Sequence, residues 1–145
     1  MVVKIVQKGD EIYSIASLVE KIKKNKDVDS GGAIFTFEGF VRGKEDNSKV
    51  KELNLTTTDI ENTQKELEEL VENVSKEYDT IEISVVHYIG KFYTGDSLFL
   101  VAILGKHRKE SLAALNDIIE KVKFDLDFQK EEISDSGTKI ILSGG

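Results

Sequence analysis

Between Ser97 and Leu104 the chain is continuously apolar, and the run reads as a strand buried on both faces. Immediately after it, Leu112, Leu115, Ile118, Ile119 and Val122 recur at helical spacing, which predicts a helix from Lys106 or His107 to about Phe124. Upstream, alternation predicts a strand over 33–42, where Ala33, Phe35, Phe37, Gly39 and Val41 oppose Ile34, Thr36, Glu38, Phe40 and Arg42. A polar turn over 43–48 and an apolar return over 50–57 make this strand the first arm of an expected hairpin. Ile81, Ile83, Val85, His87 and Ile89 share one face of a strand over 80–89. Short strands are expected at 2–6 and 138–142, and Leu126, Phe128 and Lys130 alternate with polar residues in a further one.

Two other helices complete the pattern. Asp10 or Ser14 caps a first helix with the stripe Ile12, Ile15, Val19 and Ile22. Thr58 and Glu61 have the spacing of a capping box, opening a long helix with the stripe Ile60, Leu67, Leu70, Val71 and Val74. Its other faces are acidic and read as solvated. The expected order is β-α-β-β-α-β-β-α-β-β, which predicts an α+β fold: one domain over residues 1–145, with a mixed, largely antiparallel sheet and three helices.

Composition narrows the chemistry. The 145 residues include no cysteine, which excludes disulfides, thiolate metal sites and a cysteine nucleophile, and only two histidines, which disfavours a histidine metal site. No apolar run approaches the roughly 20 residues of a membrane helix, and the first residues lack the shape of a signal peptide, so a cytoplasmic protein is expected. The net charge of −7 disfavours nucleic-acid binding by the chain as a whole, yet basic residues gather at 106–109 and 121–123. A small anionic ligand fits that contrast better than a polyanion.

The basic turn Lys106-His107-Arg108-Lys109 falls at a helix N-terminus, where the macrodipole is already positive and no Ser, Thr, Asp or Asn stands to cap it. Either an anion such as phosphate completes this arrangement, or it is a solvated turn. His87 lies on the apolar face of its strand and reads more readily as a hydrogen-bonded structural histidine. Lys130 falls on the apolar parity, so it is either partly desolvated, with a lowered pKa, or extends its stem over apolar surface with its amine in water. Arg42, at a strand end beside a loop, is either a functional cation or a solvated one.

Four blocks of residues resemble the molybdopterin synthase catalytic (large) subunit family. They are Gly32-Ala-Ile-Phe-Thr-Phe-Glu-Gly-Phe-Val-Arg-Gly43, Val85-Val-His-Tyr-Ile-Gly90, His107-Arg108-Lys109, and Lys123 followed after six residues by Lys130-Glu131. They occur in the family's order across about residues 32–132. Tyr88 stands where the family usually has arginine, Gln129 falls within its usual Pro-x-Trp-Lys segment, and the tail beyond Lys130 is short. The resemblance implies an enzyme that sulfurates a cyclic pyranopterin monophosphate (precursor Z) to molybdopterin. The sulfur would come from the C-terminal Gly-Gly thiocarboxylate of a small ubiquitin-like partner, with no metal or redox cofactor. It implies anion binding by Arg42, His107 and Arg108, and chemistry at Lys123 and Lys130. Because His107 and Lys123 lie at opposite ends of one helix, it further implies a homodimer with shared sites, within a heterotetramer. A non-enzymatic module of the same fold, binding a phosphorylated ligand or a Gly-Gly tail, is the alternative. The chain's own Gly144-Gly145 ending leaves a third possibility, docking of that tail into a neighbouring copy.

Overall fold

The doubly buried strand and the helix after it form as expected and carry the architecture. The computed structural model describes residues 1–45 and 48–141. In chain order the elements are β1 (Val3–Gln7), α1 (Ile15–Ile22), a 3-10 turn (Val28–Ser30), β2 (Ala33–Phe40), β3 (Lys44–Glu45), β4 (Ser48–Thr56), α2 (Ile60–Tyr78), β5 (Glu82–Phe92), β6 (Ser97–Gly105), α3 (Arg108–Asp125), β7 (Gln129–Ser134) and β8 (Gly137–Ile141). The α+β expectation holds: one mixed sheet runs in the order β2-β6-β5-β4-β7-β8, with β1 against β5 and β3 against β4. Among the described residues only the β1–β5 pairing is parallel.

Strand β5 joins the sheet together. One edge takes β6 from Glu82 to His87, and other pairings take β1 from Val85 to Ile89 and β4 from Gly90 to Phe92. Residues Glu82 to Ile89 and Phe99 to Gly105 are buried without a break, because strands in mid-sheet with elements packed on both sides have no solvent face. Helices α1 and α3 pack on β2 and β6, and α2 packs on β1 and α3. The Gln64 side chain of α2 accepts from Ile5 N at 2.7 Å and donates to Val3 O at 2.7 Å, hydrogen-bonding β1 as a neighbouring strand would.

Several local expectations are corrected. The β2–β4 hairpin does not form: β2 pairs with β6 along Ala33–Phe40, while β4 pairs with β5 and β7. Strand β6 is apolar on both faces and takes partners along both edges, so it captures β2, which its own turn would have placed beside β4. The Thr58/Glu61 capping box is replaced by Asp59, whose Oδ1 accepts from Asn62 N at 3.2 Å. Thr58 is diverted, since its hydroxyl donates to Asp127. At α1 the cap is Ser14, in a reciprocal pair with Ser17. Ile12 therefore precedes the helix and is 92% exposed, and Leu18 takes its place in the core. Ile60 and Leu112 are also exposed, while the remaining positions of their stripes face inward or are partly covered.

Helix α3 begins where expected, with His107 as its N-cap and no side-chain cap bond. Its first turn approaches β6 so closely that a Cβ on Gly105 would lie 1.9 Å from Ser111 Oγ. That hydroxyl donates to His107 O at 2.6 Å. The terminal Gly144-Gly145 and Leu142 lie outside the described residues.

Candidate active site

Three of the five candidate site residues singled out in the sequence converge. Arg42 follows β2, Lys123 stands in the last turn of α3, and Lys130 is the second residue of β7. All three line a depression of about 260 Å³ whose walls include Phe37, Leu98 and Phe99. A second depression of about 280 Å³ adjoins it between β4, β7 and β8, sharing Phe40, Arg42, Leu98 and Lys130 and adding Glu132 and Lys139.

Each cation is placed by local structure. Beyond Phe40 the chain leaves the sheet, but Val41 N donates to Asp96 O at 2.9 Å and Gly95 N to Val41 O at 2.8 Å. The same turn is held by Asp96, whose carboxylate accepts from Lys8 at 2.6 Å and Tyr93 N at 2.8 Å, and those bonds hold its pKa below the ordinary carboxylate value. Arg42 thus projects from a pinned segment. Lys123 and Lys130 flank the short link between α3 and β7, in which Phe128 stacks on His87 at 4.2 Å between ring centroids.

Charge crowding follows. Burial is the largest influence on Lys130 and pushes its pKa below the ordinary lysine value; the charges of Lys123 and Arg42 push it the same way. Of the two readings the sequence left open for this lysine, partial desolvation is the one realised. Three like charges around one small depression repel one another, and an anionic ligand relieves both that repulsion and the desolvation.

His107 and Arg108 do not join them. They lie at the N-terminal end of α3, exposed, about 24 Å of helix from Lys123 at 1.5 Å per residue. Their turn is partly compensated by an ion pair between Lys106 and Asp79 at 2.9 Å, but the helix end carries no side-chain cap.

Two positions of the sequence motifs take on clearer roles. Tyr88 turns away from the depression: its hydroxyl accepts from Tyr13 N at 2.9 Å and donates to Glu11 O at 3.1 Å, pinning the loop before α1. His87 has the expected structural bond, Nδ1 to Tyr88 O at 2.9 Å, and burial drives its pKa down to about 3. It also lines the depression. Strict alternation concealed that role, since the face that buries the ring also borders the ligand space. The aromatic wall residues Phe37 and Phe99 were hidden in the same way, as ordinary strand positions.

Fold and depression together define an α+β domain with a cationic, aromatic-walled depression. The family model described as MoaE protein matches residues 9–125, and the chain belongs to that family. It is 33% identical over 108 residues to a molybdopterin synthase catalytic subunit of Ralstonia nicotianae, covering 74% of this chain and 61% of that protein. The fold superposes with a TM-score of 0.80 on molybdopterin synthase from Staphylococcus aureus, at 25% identity and with 96% of each chain covered. It also matches a Helicobacter pylori protein-protein complex of subunits 1 and 2 of molybdopterin-converting factor, with a TM-score of 0.71, 25% identity, and 98% and 90% of the two chains covered.

Proposed function

We propose that residues 1–145 act as one catalytic domain of a molybdopterin synthase, in the cytoplasm. The domain transfers sulfur to a cyclic pyranopterin monophosphate from the C-terminal thiocarboxylate of a small ubiquitin-like partner. The observation that carries this reading is the gathering of Arg42, Lys123 and Lys130 on one aromatic-walled depression in a chain of net charge −7. Arg42 suits the phosphate, to which a guanidinium can present two parallel donors. Lys123 and Lys130 suit the transfer itself, whose acyl and pterin intermediates carry charge that ammonium groups stabilise or discharge by proton transfer. The depressed pKa of Lys130 makes it the better proton carrier of a normally over-basic residue type.

The surroundings favour a macromolecular sulfur donor. Phe40 and Ile140, 61% and 69% exposed, stand on the second depression, and Phe124, 55% exposed, is next to Lys123. These are suitable apolar contacts for a partner whose flexible tail reaches the lysines. The Helicobacter pylori complex of subunits 1 and 2 of molybdopterin-converting factor supports the presence of a partner subunit. His107 and Arg108 belong to this function through a second copy of the chain: a two-fold axis brings the start of one α3 towards the end of the other, giving a homodimer with two composite sites in a heterotetramer.

The test is dithiolene formation from the pyranopterin monophosphate and the thiocarboxylated partner. Product formation supports the enzyme. Tight binding of both reactants with no sulfur transfer would favour the non-enzymatic module instead.

A further inference from the structure

His87 is a satisfied core histidine on one side only. Its Nδ1 lies 2.9 Å from Tyr88 O. A carbonyl accepts and never donates, so Nδ1 carries the proton and Nε2 presents a lone pair. Phe128 stacks on the ring at 4.2 Å and 18°, and Phe99 lies at 5.0 Å, so the imidazole plane is fixed. Among the described residues the one buried side-chain polar atom without a partner is Glu82 Oε2. Nε2, which has no hydrogen-bond partner among the described residues, is therefore not sealed in the core; it opens on the depression that His87 lines.

The other polar groups there make this lone pair consequential. Arg42, Lys123 and Lys130 are donors. Glu38 is exposed, and its carboxylate already accepts from the Ser97 hydroxyl. An anion alone would use only the donors. A heterocycle bearing ring N–H or hydroxyl groups as well as a phosphate needs an acceptor, and one that keeps its lone pair at every working pH. Burial provides this by keeping the imidazole neutral down to a pKa of about 3.

We propose that His87 is a specificity-determining residue, accepting through Nε2 a hydrogen bond from an N–H or O–H group of the heterocyclic part of the ligand. The proposal rests on the function above, with Arg42 holding the phosphate and His87 reading the ring.

The experiment measures binding of the pyranopterin monophosphate and, separately, of inorganic phosphate. His87→Phe keeps a flat ring between Phe128 and Phe99 but removes both nitrogens. The pterin should bind about tenfold more weakly, since its donor is left unpaired against the ring, while phosphate affinity stays unchanged. A second pair separates the two nitrogens. His87→Asn can keep the bond to Tyr88 O but places nothing at the Nε2 position, whereas His87→Gln can restore an acceptor there. Gln should recover part of the lost affinity and Asn should not, so the answer stands even if His87→Phe does not fold. Unchanged pterin affinity in His87→Phe or His87→Asn overturns the proposal. So does an equal loss of phosphate affinity, which would mark a merely structural role. A wild-type protein that binds phosphate but ignores the pterin overturns the function, and this proposal with it.

Discussion

Phe128 stacks on His87, ring on ring, across the boundary between the α3–β7 link and the middle of β5. The two candidate catalytic lysines lie on either side of Phe128 in sequence, at the end of α3 and the start of β7. One aromatic contact therefore packs the segment that joins both lysines against the buried middle of β5.

Removing either amine should separate activity from stability. Neither lysine is fully buried, and neither fills core volume. Lys123→Ala and Lys130→Ala should each lower turnover about a hundredfold or more, the usual scale of a lost proton-transfer group, while thermal melting shows no comparable loss. Near-normal turnover in a variant would remove that lysine from the chemistry.

At the far end of α3, Arg108→Ala should weaken binding of the pterin phosphate by roughly 1.5–3 kcal/mol, the worth of a charge-assisted hydrogen bond. Calorimetry with the precursor measures this directly. Mixing Arg108→Ala protein with Lys123→Ala protein tests the shared site. After subunit exchange, mixed dimers contain one site with both residues intact, and activity should partly return. Confirmed exchange without recovery would place each site within a single chain.

Lys130 also makes stability depend on pH, with a definite sign. Its folded pKa lies below the ordinary 10.5, so the unfolded chain binds this proton more tightly. The charged lysine therefore costs stability throughout the range below its folded pKa, and the cost fades as pH rises from there towards 10.5. Lys130→Met should be more stable than wild type at neutral pH and lose that advantage near pH 10.5. Urea midpoints at the two pH values decide it; an advantage that does not shrink would point to packing rather than charge.

Gly105→Ala should cost roughly 1–3 kcal/mol, because its Cβ would collide with Ser111 Oγ and press α3 away from β6. Removing the hydroxyl as well, in Gly105→Ala/Ser111→Ala, should cost less than the sum of the single changes. Additive denaturant midpoints would show that the clash is relieved elsewhere.

Much of this was legible in the sequence, and the misses share a cause. Strand β6, helix α3 and strand β5 announce themselves through long apolar runs or a clear period, because burial of so many consecutive residues leaves few alternatives. Pairing is different: the polar turn over 43–48 suggests a local hairpin, but which strand edge β2 fills depends on β6, some sixty residues away along the chain. Capping at Asp59 rather than Thr58 depended on Asp127, again distant in sequence. At the site, parity puts Lys130 on the apolar side of its strand and leaves its amine's surroundings open, whereas Lys123 reads as an ordinary last-turn cation and stands out only through its family spacing. His87 reads as structural because alternation reports burial, not which atom of a buried ring borders a cavity.

The parallel pairing of β1 with β5 has a consequence for biosynthesis. Residues Val3–Gln7 leave the ribosome about eighty residues ahead of their partners Val85–Ile89. At about 5–20 residues per second the first strand must wait roughly 4–16 seconds for its neighbour. Gln64 arrives earlier, and its amide bonds to Ile5 and Val3 match the backbone groups a strand would satisfy. Helix α2 can therefore shield the nascent first strand from pairing with another chain before its own sheet exists.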